Sequence, residues 1–400
     1  MKSVSFHNSK SAILSILALP ILALAVFSLA SATALAAKSP APTRAVNLIF
    51  IDNSVSSESY ITSNNETQMN QAVKMAVVEV QSKMPECNIK QVTMIGRNDP
   101  LNIFKQKEAI EKNYSSENTL IVGLKNSGET NLAAEAFKTT KYLALSSGVS
   151  SDDLGQRNPR FFSMANRIKN YANIVGEFIE KRHYGRDTMI IYPGDGYFAQ
   201  SFADQLNSNF HGLMPRFQVD PAKVVLPADV ERKIAAGQVK AIVLPVADIQ
   251  QAMPMITYLK QLGYNGDIIG SSNWGRAMAD MKRFAQSIDL GKTQIYFPNS
   301  WSEGESARSS EFEREFKAQA GGDAPIGTTI YTYDAALMAA QYLCETAHMS
   351  APGFRSYLAA LKTHGVRTVR NYTGLENNNV SSTIRMVHFD GGLLKLVSAR

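Results

Sequence analysis

Short apolar runs alternate along this chain with longer segments in which apolar residues recur every three or four positions. Residues 46–51 are almost continuously apolar, which is typical of a strand buried on both faces of a sheet. Residues 66–84 then carry an apolar stripe with helical spacing. The same alternation predicts further strands at 89–96, 119–123, 142–145, 188–192, 216–219, 241–245 and 267–269, and further helices at 102–113, 130–139, 169–183, 198–208, 228–236 and 248–262. Alternation of this kind predicts an α/β fold with helices on both faces of parallel sheets.

The predicted strands are more numerous than one doubly wound sheet comfortably holds, so the sequence predicts two doubly wound parallel-sheet lobes. In open α/β sheets, ligands bind beyond the carboxyl ends of the strands. The loops at those positions are residues 52–57, 124–128, 146–150, 194–198, 246–248 and 271–275. They are rich in hydroxyl groups and small side chains and nearly free of His, Cys and paired carboxylates. This composition favours a site that hydrogen-bonds a ligand, with no catalytic residue, no metal and no cofactor.

Residues 1–37 have the layout of a secretory signal peptide. Lys2 and Lys10 form a positive start, residues 12–30 are an apolar run, and a small-residue stretch ends in an Ala-x-Ala site before residue 38. A retained membrane anchor is the alternative, since the apolar run is long, although a proline interrupts it. No cysteine lies near the cleavage site, so we expect a soluble periplasmic protein without a lipid anchor.

The charge balance argues against a nucleic-acid partner. The chain has 41 Lys and Arg against 35 Asp and Glu, a formal net charge of +6, and no run of four basic residues. A protein that neutralises phosphates usually concentrates its positive charge in a patch. A solvated surface of mixed charge is therefore the favoured interpretation.

Two cysteines, Cys87 and Cys344, leave two alternatives open. In an oxidising compartment they could form one disulfide, since no other cysteine competes for either of them. Two buried free thiols account for them equally well. A Cys/His nucleophile has little support.

One loop admits a second interpretation. Residues 194–199 read Gly-Asp-Gly-Tyr-Phe-Ala, which matches the G-x-G-x-x-A pattern of a pyrophosphate-binding turn. Asp220 ends the following predicted strand, near the spacing of the acidic residue that binds a ribose. Because nicotinamide cofactors are scarce outside the cell, we favour a tight turn that lines a cleft.

Several short segments are not specific when each is considered alone, but together, in their order along the chain, they match a known pattern. Residues 68–81 read QMNQAVKMAVVEVQ, residues 259–270 read LKQLGYNGDIIG, and residues 332–335 read TYDA. Further matching positions are 126–134, 145–150, Tyr197 and 389–391. In this order they resemble the motifs of the type I periplasmic binding proteins, the branched-chain amino-acid receptors of ABC transporters in particular. The resemblance extends over residues 45–400.

This resemblance implies two lobes joined by a hinge of three chain crossings. The crossings are expected near residues 162–165, 296–298 and 371–379. Lobe 1 is expected to comprise residues 45–163 and 298–375, and lobe 2 residues 164–297 and 376–400, with a strand at 383–389 completing lobe 2. In this family the lobes close over a ligand that touches both of them.

The resemblance also implies the ligand-binding residues, loop by loop. They are Ser127, Ser147, Gly148 and Ser150 in lobe 1, and Tyr197, Ser272, Asn273 and Trp274 in lobe 2. Tyr60 is a further candidate, because it lies in the polar loop after the first predicted strand. Ser127 and Ser150 have the alternative role of capping the helices that follow them. Trp274 could stack on a flat ligand or serve only as a packing residue.

The loop at residues 271–274 departs from the family pattern. It reads Ser-Ser-Asn-Trp and lacks the acidic residue that pairs with the ammonium group of an amino-acid ligand. Burying an unpaired ammonium costs several kcal/mol. A plain α-amino acid is therefore disfavoured unless Asp195 or Asp248 supplies the charge.

The sequence therefore predicts an exported solute-binding protein that captures a small polar ligand between its lobes and delivers it to an ABC permease, without catalysis. The ligand is expected to be amino-acid-like, an amide or a related compound. One alternative is a binding-protein-like regulator of a cell-wall synthase that acts through protein contacts, because residues 241–248 and 271–274 are also similar to that kind of lobe. An exported dinucleotide-binding enzyme is the third.

Overall fold

In the computed structural model, the described residues of the chain form two separate seven-stranded sheets. The structure describes residues 44–52, 66–95, 100–194, 196–209, 214–247, 249–276, 278–391 and 393–397. The strands are β1 (Arg44–Asp52), β2 (Cys87–Ile95), β3 (Thr119–Gly123), β4 (Leu143–Ser146), β5 (Phe161–Ser163), β6 (Thr188–Pro193), β7 (Arg216–Val219), β8 (Ala241–Val243), β9 (Asp267–Ile269), β10 (Ile295–Asn299), β11 (Tyr372–Glu376), β12 (Asn379–Ser382), β13 (Arg385–Asp390) and β14 (Leu393–Leu396).

Helices connect most of these strands. They are α1 (Gln68–Lys83), α2 (Pro100–Asn113), α3 (Ser127–Ala136), α4 (Leu154–Arg157), α5 (Ile168–Lys181), α6 (Tyr197–Asn209), α7 (Ala228–Ala235), α8 (Ile249–Gln261), α9 (Met278–Ser287), α10 (Ala307–Gln319), α11 (Gly327–Glu345) and α12 (Ala351–Ala359), with 3₁₀ turns at Gly185–Asp187 and Ser272–Arg276. Within the described residues, none of the helices is both long enough and apolar enough to cross a membrane.

The first sheet has the strand order β11-β12-β5-β4-β3-β1-β2, and its strands are parallel except for the antiparallel pair β11 and β12. In β1, Leu48 and Phe50 pack on one face and Ile49 and Ile51 on the other. Burial on both faces is why this strand is a continuous apolar run. We call this sheet, with α1–α4 and α10–α12, lobe 1.

The second sheet has the order β14-β13-β10-β9-β8-β6-β7, and its strands are parallel except for β13, which is antiparallel to both of its neighbours, β10 and β14. Apolar side chains again pack on both of its faces. We call this sheet, with α5–α9, lobe 2. The two mostly parallel sheets with flanking helices confirm the predicted α/β class.

A disulfide joins Cys87, at the start of β2, to Cys344, near the end of α11, with their Cα atoms 5.6 Å apart. The two cysteines are 257 residues apart in sequence. The bridge therefore links the two chain segments that build lobe 1, which are separated by all of α5–β10. The sequence left open whether these cysteines pair, because nothing local to either residue indicates its spatial neighbour.

The chain passes between the sheets three times, at residues 164–167, at 300–301 and at 383–384. The third crossing was predicted at 371–379, with residues 376–400 in lobe 2. Instead, β11 and β12 form a hairpin in the first sheet. Asn377 and Asn378 close it with φ of 47° and 66°, and two consecutive left-handed residues make the tight turn that a two-residue hairpin needs. The crossing is thereby moved beyond β12.

Candidate ligand-binding cleft between the two lobes

The carboxyl ends of the two sheets face each other. Helix α3, which follows β3, contacts α6, which follows β6. The hydroxyl of Tyr197, at the start of α6, donates a hydrogen bond to Oδ1 of Asp153, in the loop after β4, at 3.2 Å. The turn Ser272–Arg276, which follows β9, contacts α11 of lobe 1. The loops that open α/β sheets use for ligands thus border one cleft.

On the lobe 1 side, residues 146–150 form a buried polar loop. The Ser147 amide donates to the carbonyl of Gly123 at 2.8 Å, and the Gly148 amide donates to Oγ of Ser146 at 3.4 Å. Gly123 has φ of 108°, and a side chain there would come within 2.2 Å of the carbonyl oxygen of Ile51. Because only glycine fits at position 123, the backbone at the end of β3 can lie directly against the end of β1, and the loop is hydrogen-bonded to it there.

Two serines predicted for this side do not cap helices. Ser127 is the first residue of α3 rather than its cap, since Asn126 occupies the cap position. Ser150 is buried, and its carbonyl accepts the amide of Ile168 at 2.9 Å, while Asp153 precedes α4. Within the described part of the chain, neither hydroxyl makes a hydrogen bond. Their contact with a ligand stays a prediction.

The lobe 2 side is formed by the loop after β9. Oγ of Ser271 donates to the carbonyl of Val246 at 2.7 Å and accepts the amide of Asn273 at 3.3 Å. The neighbouring Ser272 hydroxyl is buried and has no hydrogen-bond partner among the described residues. A buried hydroxyl without a partner costs free energy. The contact of Ser272 with a ligand stays a prediction.

Trp274 does not line the cleft, which corrects its prediction as a ligand contact. Its side chain is 0% exposed and packs in the core of lobe 2, with its ring centroid 6.4 Å from that of Phe297. Its Nε1 donates to the carbonyl of Val246 at 2.9 Å. A Cβ at Gly270 would lie 2.2 Å from the indole. The packing role, which the sequence left open, accounts for all of its contacts.

Three predicted positions lie outside the described residues: Tyr60, Asp195 and Asp248. Their proximity to the cleft stays a prediction. In the motif at residues 194–199, a side chain at Gly194 would meet the end of the exposed Gln218 side chain of β7. Among the described residues, no three His, Cys, Asp or Glu side chains group as a metal site would need.

Two buried acidic side chains near the cleft were not predicted as site residues. Asp52 ends β1 and accepts the Thr67 hydroxyl at 2.6 Å. Glu129 lies in the first turn of α3, where burial raises the pKa of its carboxyl to about 7, although Lys125 and the Asn126 amide act in the opposite direction. The sequence signal for Asp52 was its position directly after the apolar residues of β1. Glu129 has no such signal, because its burial depends on how α3 packs in the folded protein.

With this geometry in place, comparison with known proteins identifies the family. The sequence profile of the family described as periplasmic binding protein matches residues 57–392. The chain belongs to this family, and the predicted resemblance to its type I branch is confirmed. No curated protein matches the chain significantly.

Solved structures share the fold at low sequence identity. An ABC transporter substrate-binding protein from Desulfitobacterium hafniense, in complex with Leu, superimposes with a TM-score of 0.70 at 15% identity, covering 88% of this chain and 99% of that one. The substrate binding protein LivJ from Streptococcus pneumoniae, in complex with isoleucine, gives 0.67 at 16% identity, covering 88% and 99%. A solute binding protein from R. palustris, in complex with benzoate, gives 0.65 at 11% identity, covering 88% and 95%.

Proposed function

We propose that this chain is a periplasmic solute-binding protein that captures a small polar ligand in the cleft between its lobes and delivers it to the permease of an ABC importer. The observation that carries the proposal is the meeting of the two sheets at their carboxyl ends, with hydroxyl-rich loops on both sides of the cleft. Membership of the periplasmic binding protein family supports the same role.

The polar groups around the cleft limit the chemistry of the ligand. We assign ligand contacts to Ser127 and to the loop of Ser147, Gly148 and Ser150 in lobe 1, and to Ser272 and Asn273 in lobe 2. Hydroxyl and backbone groups of this kind orient a ligand through hydrogen bonds. The related structures contain ligands as different as Leu, isoleucine and benzoate, so the ligand class has to come from this chain's own residues.

The acids lie on the lobe 1 side of this cleft. The loop after β9 has no acidic residue, whereas Asp52 and Glu129 are buried at the ends of β1 and at the start of α3. A ligand with hydrogen-bond donors, such as an amide or an amino-acid-like amine, would place those donors toward lobe 1. We therefore propose an amide or amino-acid-like compound whose hydrogen-bond donors face lobe 1.

A ligand that touches both lobes favours the closed arrangement because only that arrangement provides all of its contacts. Tyr197 contributes to the same arrangement, since its hydrogen bond to Asp153 exists only when the lobes meet. We propose that capture and closure are one coupled step, and that the permease responds to the closed form.

Thermal-shift screening tests the proposal. Purified protein would be screened against amino acids, amides, short peptides, nucleobases and sugars, and native mass spectrometry would detect a co-purified small molecule. A concentration-dependent rise in Tm for one chemical class supports the proposal, since binding stabilises the folded state by mass action. A folded protein that responds to none of these classes, and retrieves a cell-wall synthase rather than a permease in a pulldown, contradicts it.

A further inference from the structure

One buried arginine hydrogen-bonds residues in two of the segments in which the chain crosses between the lobes, and the residue that directly precedes the third. Arg370 lies in lobe 1, just before β11, and is 1% exposed. Its Nη1 donates to the carbonyl of Met164 at 2.8 Å, in the first crossing. Its Nη2 donates to Oγ of Ser300 at 3.3 Å, in the second, and to Oγ of Ser382 at 2.6 Å, next to the third.

The guanidinium is held firmly on the lobe 1 side. Its central carbon lies 3.5 Å from the centroid of the Tyr331 ring, which fixes the plane of the donors. The backbone amide of Arg370 donates to Oδ2 of Asp334 in α11 at 3.1 Å. The hydroxyl of Tyr372 accepts from Nη1 at 3.2 Å and donates to the same Asp334 oxygen at 3.0 Å. The guanidinium group is thus connected by hydrogen bonds through the Tyr372 hydroxyl to the buried carboxylate of Asp334 in lobe 1.

The crossings are also linked to one another at this point. The side-chain amide of Asn166, in the first crossing, donates to Oγ of Ser382 at 3.0 Å, and its carbonyl oxygen accepts the Ser382 amide at 2.8 Å. The Ser300 hydroxyl hydrogen-bonds that of Tyr331. Each of these hydrogen-bonded atoms therefore lies at or next to the point where its segment meets lobe 1.

We propose that Arg370 is the pivot of the interlobe hinge, a positioning residue that holds the three crossings at one point so that the lobes rotate about it. The inference rests on the proposed function, because a binding protein of this kind works by opening and closing. Only arginine suits the position, since its planar fork presents several donors in fixed directions, whereas lysine presents one point charge.

Spin labels on the two lobes test the pivot without any ligand. Labels would be placed at K105C in α2 and Q200C in α6, both exposed, and the distance distribution compared in otherwise wild-type protein, R370M and R370K. The proposal predicts a narrow distribution for wild type and a distribution at least about twice as wide for R370M and R370K, because free crossings permit more interlobe angles. Equal widths in all three would overturn it.

Stability and hinge geometry have to be separated, because removing a buried arginine also weakens lobe 1. R308M is the matched control: Arg308 is a half-buried arginine whose partners Glu79, Glu311 and Tyr333 all belong to lobe 1. R308M should lower Tm without widening the distribution. Should R370M not fold, S382A removes one anchor with little loss of volume and should widen the distribution partially; an unchanged width for S382A would then overturn the proposal.

Ligand affinity gives an independent readout. If R370M lowers the closure-competent fraction to about a tenth, the apparent Kd rises about tenfold with the cleft residues unchanged. A protein that binds no ligand at all would refute the proposed function, yet the label distances would still decide the role of Arg370. A wider distribution with an unchanged Kd would show that the anchors do not control closure and would overturn the pivot.

Discussion

The hydroxyl of Tyr197 donates a hydrogen bond to Oδ1 of Asp153 across the cleft, at 3.2 Å, and so joins lobe 2 to lobe 1. Asp153 also accepts the Ser151 hydroxyl at 2.5 Å and pairs with Arg157 at 2.7 Å. Although burial acts in the opposite direction, the hydrogen bonds from Arg157 and Ser151 hold the pKa of Asp153 below its ordinary value. The acceptor for Tyr197 is therefore an ionised carboxylate that lobe 1 positions by itself.

Replacing Tyr197 with phenylalanine should weaken ligand binding without destabilising either lobe. Y197F removes a hydrogen bond that exists only when the lobes meet, at a side chain that is 40% exposed. A loss of roughly 1 kcal/mol from the closed form raises the Kd about fivefold. Titration calorimetry with the ligand found by screening measures it.

The matched control for this change is Y258F. The Tyr258 hydroxyl binds Glu231, and both residues belong to lobe 2. Y258F should therefore leave the Kd unchanged. Equal effects of the two variants on the Kd would show that the contact with Asp153 does not contribute to closure.

Two adjacent serines should separate binding from stability. S272A removes a buried hydroxyl that has no partner in the described part of the chain, so Tm should hold or rise while ligand affinity falls about fivefold or more. S271A removes the hydrogen bond to Val246, so it should cost about 1 kcal/mol of unfolding free energy and change the Kd less. A Kd for S272A equal to that of wild type would remove Ser272 from the site.

Breaking the disulfide should destabilise lobe 1. The double variant C87S/C344S frees the two chain segments that the bridge joins across 257 residues. We expect a loss of about 2–5 kcal/mol in unfolding free energy, chiefly because the unfolded chain is no longer constrained. Urea denaturation of wild type with and without reductant, beside the double variant, measures it. Coincident transitions for all three samples would exclude a stabilising bridge.

Glu129 should make stability depend on pH. Burial raises its folded pKa to about 7, from 4.5. The folded state therefore holds the proton more tightly, and its contribution to stability is lost as pH rises between these values. The unfolding free energy of wild type relative to E129Q should fall by about 3 kcal/mol from pH 4.5 to pH 8. Denaturation at both pH values measures it, and parallel pH profiles for the two proteins would contradict the burial argument.

Much of the fold follows from patterns within single segments. The strands that became β1, β3, β6 and β9 are apolar runs because they are buried on both faces, and such runs are visible in the chain itself. The hairpin of β11 and β12 escaped prediction because its strands are short and partly polar. The adjacent asparagines of its turn were the available sequence signal for a hairpin. Because the hairpin belongs to the first sheet, the third crossing lies after Ser382.

The sequence by itself determined the alternation of strands and helices, the two α/β sheets and the family, because these depend on burial patterns and motifs spaced within a few turns of chain. Only the tertiary structure decided that Cys87 meets Cys344, that Trp274 packs inside lobe 2, and that Arg370 hydrogen-bonds residues in or next to the three crossings. In each of these contacts, the packing of whole helices and strands brings together residues that are distant in sequence. The identity of a side chain does not by itself specify which residue it will contact. The hinge is accordingly a property of the folded chain that no single segment contains.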